Sequence, residues 1–446
     1  MLGVLADRTY RHLFLAQVIA LLGTGLATVA LGLLAYDLAG PNAGAVLGTA
    51  LMIKMVAYIG VGPVVNAFVD RLPRRAFLVS MDLARAGVAL ALPFVDQIWQ
   101  VYLLIFVLQS ASAAFTPTFQ ATIPDILTDE KRYTRALSLS RLAYDMESLV
   151  SPTLAAALLT VISFHWLFAG TVVGFLASAA LVVSVLIPQP KTAAPRGGIY
   201  DRTTRGSRIY LKTPRLRGLL ALNLAAAAAG AMVIVNTVVY VRTVLGRPEN
   251  DVAIALAAFG GGSMLAALSL PRLLERRSDR QVMLTAAVLL LAGLLAVTAF
   301  TVAPGVNRWW ALLAMWAVLG VGYSAVQTPS GRLLRRSAAP EDRSALFAAQ
   351  FALSHACWLV TYGVAGNLGA AMGMPAALLA LAGLTLLGLL IAVRVWPKED
   401  PDVVGHDHPE LAADHPHVRQ HASAKARHAH DFVIDELHRQ WPKKGL

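Results

Sequence analysis

Cysteine is almost missing: Cys357 stands alone in 446 residues. That excludes an internal disulfide framework and any cage of several thiolates. Charge is scarce as well, with 14% of positions charged, against about 25% in a soluble domain. Acidic residues are outnumbered, 26 to 38 basic, for a net charge of +12. The basic residues fall in short loops rather than along one face, which reads as membrane topology and excludes a nucleic-acid footprint. Also lacking are a nucleotide loop, a phosphate cradle and a nucleophile constellation, so neither an enzyme nor a resident cofactor is expected.

What is present is apolar residue, 57% of the chain, in runs near the roughly 20 residues that cross a bilayer core. Twelve spans are predicted, near 12–36, 45–66, 76–96, 99–121, 140–161, 166–187, 217–241, 252–271, 281–302, 308–329, 346–368 and 374–396. Turn-forming clusters separate them, among them Gly40-Pro-Asn42, Pro248-Glu-Asn-Asp251 and Pro304-Gly-Val-Asn307. The start of the chain, Ala6 to His12, is polar, with no pattern of a cleaved signal. Lys and Arg concentrate in alternate loops, at Arg71, Arg74 and Arg75, at Arg272, Arg276, Arg277 and Arg280, and at Arg332, Arg335 and Arg336. The positive-inside rule then puts both termini in the cytoplasm.

A polar connector, 188–216, divides the chain into a bundle over 1–187 and a second over 217–396, with a tail over 397–446. Polar groups inside spans are costly and mark pathways or structural pairs. Lys54 sits mid-span and is a candidate for the central path. Asp82 and Arg85, three apart on one helical face, read as a structural pair. Arg141 and Asp145 open span 5, with Glu147 on the other side of that helix; Asp145 and Glu147 are candidates for proton coupling. His355 lies near the midplane of span 11, and its imidazole suits either proton exchange or a metal. Cys357 follows two residues later, about 200° round the helix, and so faces a different way.

The tail changes character. Eight of the eleven histidines lie in it, three pairs of them as His-x-His: His406/His408, His415/His417 and His428/His430, with His421 and His438 besides. Imidazole interleaved with carboxylate suits nickel, cobalt, zinc or copper(II). With no cysteine and irregular spacing, the tail reads as a flexible chelating arm. Its end, Asp431 to Trp441, is expected to form a short amphipathic helix with Val433, Leu437 and Trp441 on one face.

Asp70-Arg71 with Arg74-Arg75, after the second span, resembles the Gly-x-x-x-Asp-Arg-x-Gly-Arg-Lys/Arg loop of the major facilitator superfamily, with Asn66 and Pro73 at the glycine positions. A weaker echo, Glu275-Arg276, follows the second span of the second half. Ser151-Pro-Thr-Leu-Ala-Ala156 resembles that superfamily's exporter segment Gly-Pro-x-x-Gly-Gly. With Ser354-His-Ala-Cys-Trp358 and the histidine-rich tail, the chain resembles the nickel-resistance branch of its efflux proteins. The resemblance implies an all-α fold of two six-helix bundles, a monomer in the inner membrane, exporting a divalent metal by exchange with protons through alternating access. His355 and, less directly, Cys357 would hold the metal, and the Asp70 and Glu275 loops would gate. Two other readings stay open: an exporter of drugs or siderophores, with Trp316, Tyr323, Gln327 and Tyr362 lining its cavity, and a non-transporting metal sensor.

Overall fold

The computed structural model describes residues 2–61, 72–127, 129, 132, 136, 139–140, 143, 150–151, 153–188, 199–303, 308–339, 342–401, 403–406, 428–435, 437–438 and 440–442. Among these, ten stretches are long and apolar enough to cross a membrane. The first, Arg8–Val61, contains two helices, α1 (Arg8–Ala39) and α2 (Ala43–Val56), broken by a turn at Gly40–Asn42. The Asp7 carboxylate accepts from the Tyr10 amide to start α1, and Gly40, at φ 53°, ends it. Nine residues of the predicted span 140–161, at 141–142, 144–149 and 152, lie outside the described residues, so the twelve-span count rests on the sequence there.

Further helices of the first half are α3 (Arg74–Ala91), α4 (Ile98–Ile126) and α5 (His165–Val183), and residues 153–158 are helical as well. The second half begins with α6 (Ile199–Lys212), which lies in the connector, and α7 (Pro214–Val239). It continues through α8 (Glu249–Leu274), α9 (Asp279–Val302), α10 (Arg308–Gln327), α11 (Ser330–Arg335), α12 (Arg343–Gly363), α13 (Gly369–Met372) and α14 (Met374–Val395). Within the first half α5 packs on α1 and α3, and within the second α10 packs on α8 and α9 while α14 packs on α7. Large apolar side chains such as Leu83, Leu103, Leu265, Leu268 and Leu390 point outward. A soluble protein would bury such a band; a chain whose solvent is lipid has no need to.

The two halves meet mainly along α2 and α12. Their backbones nearly touch: a Cβ on Gly48 would lie 2.7 Å from the Tyr362 carbonyl oxygen and 2.9 Å from Gly366 Cα. Only glycine permits that approach. At the same end, the Tyr36 ring lies 5.3 Å from the Arg242 guanidinium, and its hydroxyl is 3.3 Å from Thr243 Oγ1, tying α1 to the end of α7. This is the Gly40 end of the molecule; the basic loops lie at the other.

The described part of the tail differs from the flexible arm expected there, while residues 407–427 lie outside the described residues. Val403–His406 (β1) and His428–Asp431 (β2) pair antiparallel, with His406 opposite His428 and Val404 opposite His430. The stretch after β2 is not a helix. Phe432 and Ile434 are buried, Trp441 meets Phe432 edge-on at 5.0 Å between ring centres, and Leu437 stays exposed. A helix would have put Val433, Leu437 and Trp441 together; extended chain instead sends Phe432 and Ile434, two apart, to one side.

Candidate transport pathway

A cavity opens in the first half, lined by Thr24 and Thr28 of α1, Lys54 of α2, Gln109 and Ser112 of α4, and Phe175 of α5, with leucines between them. Thr24, Thr28 and Ser112 turn their hydroxyl protons to carbonyls of their own helices, at 2.9–3.0 Å. The Lys54 ammonium lies 5.6 Å from the centre of the Tyr58 ring. Tyr58, in the π-helical turn Ala57–Val61 that extends α2, reaches across to the second half. Its ring centre is 5.3 Å from His355 and 5.8 Å from Phe351. Thus Lys54 and His355, both predicted from the sequence, come together at the junction through an aromatic bridge that the sequence did not mark.

His355 stacks on Phe351 at 3.9 Å, and its Nδ1 lies 2.6 Å from the Phe351 carbonyl oxygen one turn back. An imidazole that donates there leaves Nε2 as the basic nitrogen. Cys357 looks the other way, with Sγ 4.0 Å from the Leu220 carbonyl of α7. The two therefore do not converge on one ion, as their helical spacing required. Among the described residues no group of three or more His, Cys, Asp and Glu could hold a metal. Arg141, Asp145 and Glu147 lie outside the described residues, as do His408, His415, His417 and His421; of His406, His428 and His430 only the backbone is described.

Of the residues expected to line an organic-ligand cavity, Trp316 is displaced from that role. It is fully buried in the second half, donating from Nε1 to Thr237 Oγ1 at 2.7 Å. Tyr362 stacks with Trp358 at 4.9 Å, and Tyr323 meets Trp358 at 6.2 Å and Phe259 at 5.6 Å, so an aromatic series continues along α12.

Asp82 and Arg85 are bonded to each other, and Ser178 of α5 donates to the second Asp82 oxygen at 2.8 Å. The Arg85 guanidinium lies between two rings, 4.1 Å from Phe115 and 4.5 Å from Phe175.

At the basic end, Asp70 and Arg71 lie outside the described residues. Arg74 is bonded to Asp125 at the end of α4, and Arg75 to the Val183 carbonyl at the end of α5. In the second half the anchor is not Glu275-Arg276, both of which are exposed. It is Asp279, buried at the first turn of α9 and bonded to Arg332, with Arg336 at 3.7 Å. The signal was available: Asp279-Arg280 repeats the dipeptide Asp70-Arg71, and Ser278 with Gln281 forms a capping box that starts a helix there. Arg336 reaches on to Asp400 at 3.3 Å, and Asp400 also accepts from Trp396 Nε1 and from Arg215. Arg215, 1% exposed, further donates to Ser337 Oγ and lies 5.2 Å from the Trp441 ring. The connector is held to the same face: Arg205 pairs with Asp342 at 2.6 Å, and Tyr210 donates to Gln350 at 2.5 Å. Burial, with the Cys357 thiol nearby as a smaller cause, pushes the Tyr210 phenol well above its ordinary pKa.

Comparison with known proteins agrees with this architecture. The Major Facilitator Superfamily matches residues 13–248 and again 219–425. The chain is 24% identical over 308 residues to the uncharacterized MFS-type transporter YfiS of Bacillus subtilis, covering 66% of this chain and 70% of that one. It is 28% identical over 149 residues to macrolide efflux protein A of Streptococcus pyogenes, covering 32% of this chain and only 36% of that protein. Among solved structures, the nucleoside transporter NupG superposes with a TM-score of 0.65 at 14% identity, over 88% of this chain and all (100%) of its own. A bacterial Spinster homologue in an inward-facing, unoccupied conformation superposes with a TM-score of 0.60 at 14% identity, over 87% of this chain and 94% of its own. With efflux proteins among its relatives and spans throughout, this multi-pass membrane protein is a transporter, and the chain belongs to the Major Facilitator Superfamily.

Proposed function

We propose that this transporter exports a divalent transition metal, nickel or cobalt before zinc, across the inner membrane in exchange for protons. Both termini face the cytoplasm in this reading, so the joined Gly40 end is the periplasmic side of a rocking cycle. The observation that carries the metal reading is the tail. Alternation along paired strands puts register positions 406, 428 and 430, all histidine, on one face of the ribbon. Phe432, Ile434 and Trp441 fix the ribbon beside Arg215, at the mouth of the second half. Histidines so placed collect metal close to the path. In the path, His355 supplies an imidazole that can carry a proton or bind metal.

The test is metal efflux from inverted vesicles under a fixed pH gradient, with expression checked for each variant. His355→Ala abolishes proton-driven efflux, and His355→Gln is nearly as damaging, since an amide neither titrates nor binds metal as imidazole does. A Gln variant moving nickel near the wild-type rate removes His355 from the mechanism, and absence of metal flux in the wild type removes the metal reading itself.

The aromatic series Tyr58, Phe351, Trp358, Tyr362 and Tyr323 favours a second reading, export of an amphiphilic organic solute. Macrolide efflux protein A is among the relatives by sequence. Growth tests with nickel, cobalt and macrolides, in a strain lacking its own exporters, separate the two.

A further inference from the structure

We infer that the cavity of the first half binds a carboxylate, so that the exported species arrives as an anion, either an organic acid or a metal already wrapped in one. Two independent features point there. Lys54 brings an ammonium to the cavity wall, and among the described residues it has no carboxylate partner, only the face of Tyr58. Gln109, 8% exposed, lines the same cavity with no hydrogen-bond partner among the described residues. Its NH₂ is a donor, and the ammonium supplies up to three more. The threonine and serine hydroxyls around them already donate to their own helices, so the donors that remain free are those of Lys54 and Gln109.

A bare divalent cation is repelled by this arrangement, because an ammonium on the wall of a low-dielectric cavity opposes like charge. A chelate with net negative charge and exposed carboxylate oxygens is attracted, by one charge-assisted and one neutral hydrogen bond. Beyond Lys54 the Tyr58 ring, with His355 and Phe351 against it, adjoins this cavity without lining it. This deepens the export reading: it leaves the metal as cargo and names the ligand that escorts it.

Inverted vesicles under a fixed pH gradient are given radiolabelled nickel as the aquo ion or as its one-to-one citrate complex, and separately radiolabelled citrate without metal. Retention of labelled citrate by the purified protein is measured in parallel, a readout blind to nickel held by the tail. The wild type takes up the citrate complex faster than the free ion. Lys54→Gln slows the complex by at least about tenfold and speeds the free ion, which the ammonium no longer repels, Lys54→Arg keeps most of the rate, and Gln109→Leu weakens citrate retention. Citrate moving equally well without metal upholds the anion site and overturns the metal reading. Citrate retained but no nickel moved has the same meaning. The inference is overturned if the wild type moves the free ion as fast as the complex, or if Lys54→Gln slows both alike, as loss of an internal ion pair would. It is also overturned if the purified protein retains neither citrate nor its nickel complex.

Discussion

Replacing Gly48 by alanine should shift the balance between the conformations of this transporter while leaving its fold intact. The added methyl would meet backbone on both sides, 2.7 Å from the Tyr362 carbonyl oxygen and 2.9 Å from Gly366 Cα, and neither is a side-chain tip that can swing away. Overpacking of this kind costs about 1–3 kcal/mol. The cost falls only on the state in which α2 and α12 touch, so it biases the equilibrium toward the parted state by roughly 5–150-fold. The readout is a distance between spin labels at Asn42→Cys and Ala371→Cys in a Cys357→Ala background. Both positions are exposed, in the turn and the short helix that pack together at the Gly40 end. In proteoliposomes a longer distance should appear or grow. Gly87→Ala, where the new Cβ would have nothing within 4 Å, is the control and should leave the distribution alone. Identical distributions in the two variants would refute the reasoning, because the contact would then not distinguish the states.

Three further outcomes are expected. A chain ending at Lys398 loses Asp400 and leaves Arg215 buried with one fewer partner, so its thermal stability should fall by about 3 kcal/mol, while a chain ending at Pro401 keeps that pair and still transports. Asp279→Asn should slow transport several-fold by freeing Arg332, whereas Glu275→Gln, on an exposed side chain, should match wild type in the same vesicle assay. In the tail, burial alone would raise the Asp435 carboxyl, but hydrogen bonds from the His438 ring and from the His438 and Leu437 amides outweigh it and hold it low. A depressed carboxylate stabilises the fold above its unfolded value, near about 3.9, and that support is lost as pH falls through the lower folded value. Asp435→Asn should therefore loosen Trp441 at neutral pH, seen as a red shift of its emission, and remove the acid-dependent step.

The spans found among the described residues were legible because they depend on local composition. Gly40-Pro-Asn42 is the turn it was expected to be, and Pro248 caps α8. Lys54 and His355 stood out because charged or titratable groups within apolar runs are costly enough to need a reason. What stayed hidden joins residues far apart in the chain. Nothing local pairs Val403–His406 with His428–Asp431 or seats Arg215 against Asp400, 185 residues on. Nor does a glycine in an apolar run disclose that its partner is a glycine of the other half. Trp316 misled for a related reason: an indole inside a span serves packing or binding equally well until its neighbours are known, and here the neighbour is Thr237.

The Arg85 cluster has a mechanical consequence. One guanidinium on α3 is gripped by a carboxylate of its own helix, a ring from α4 and a ring from α5, while Ser178 of α5 holds the carboxylate from behind. To slide any of these three helices past the others would strip a charge of its company inside the bilayer. The trio must therefore move as one beam, and the give of the first half is left to α1, to α2 and to the glycine seam where α2 meets α12.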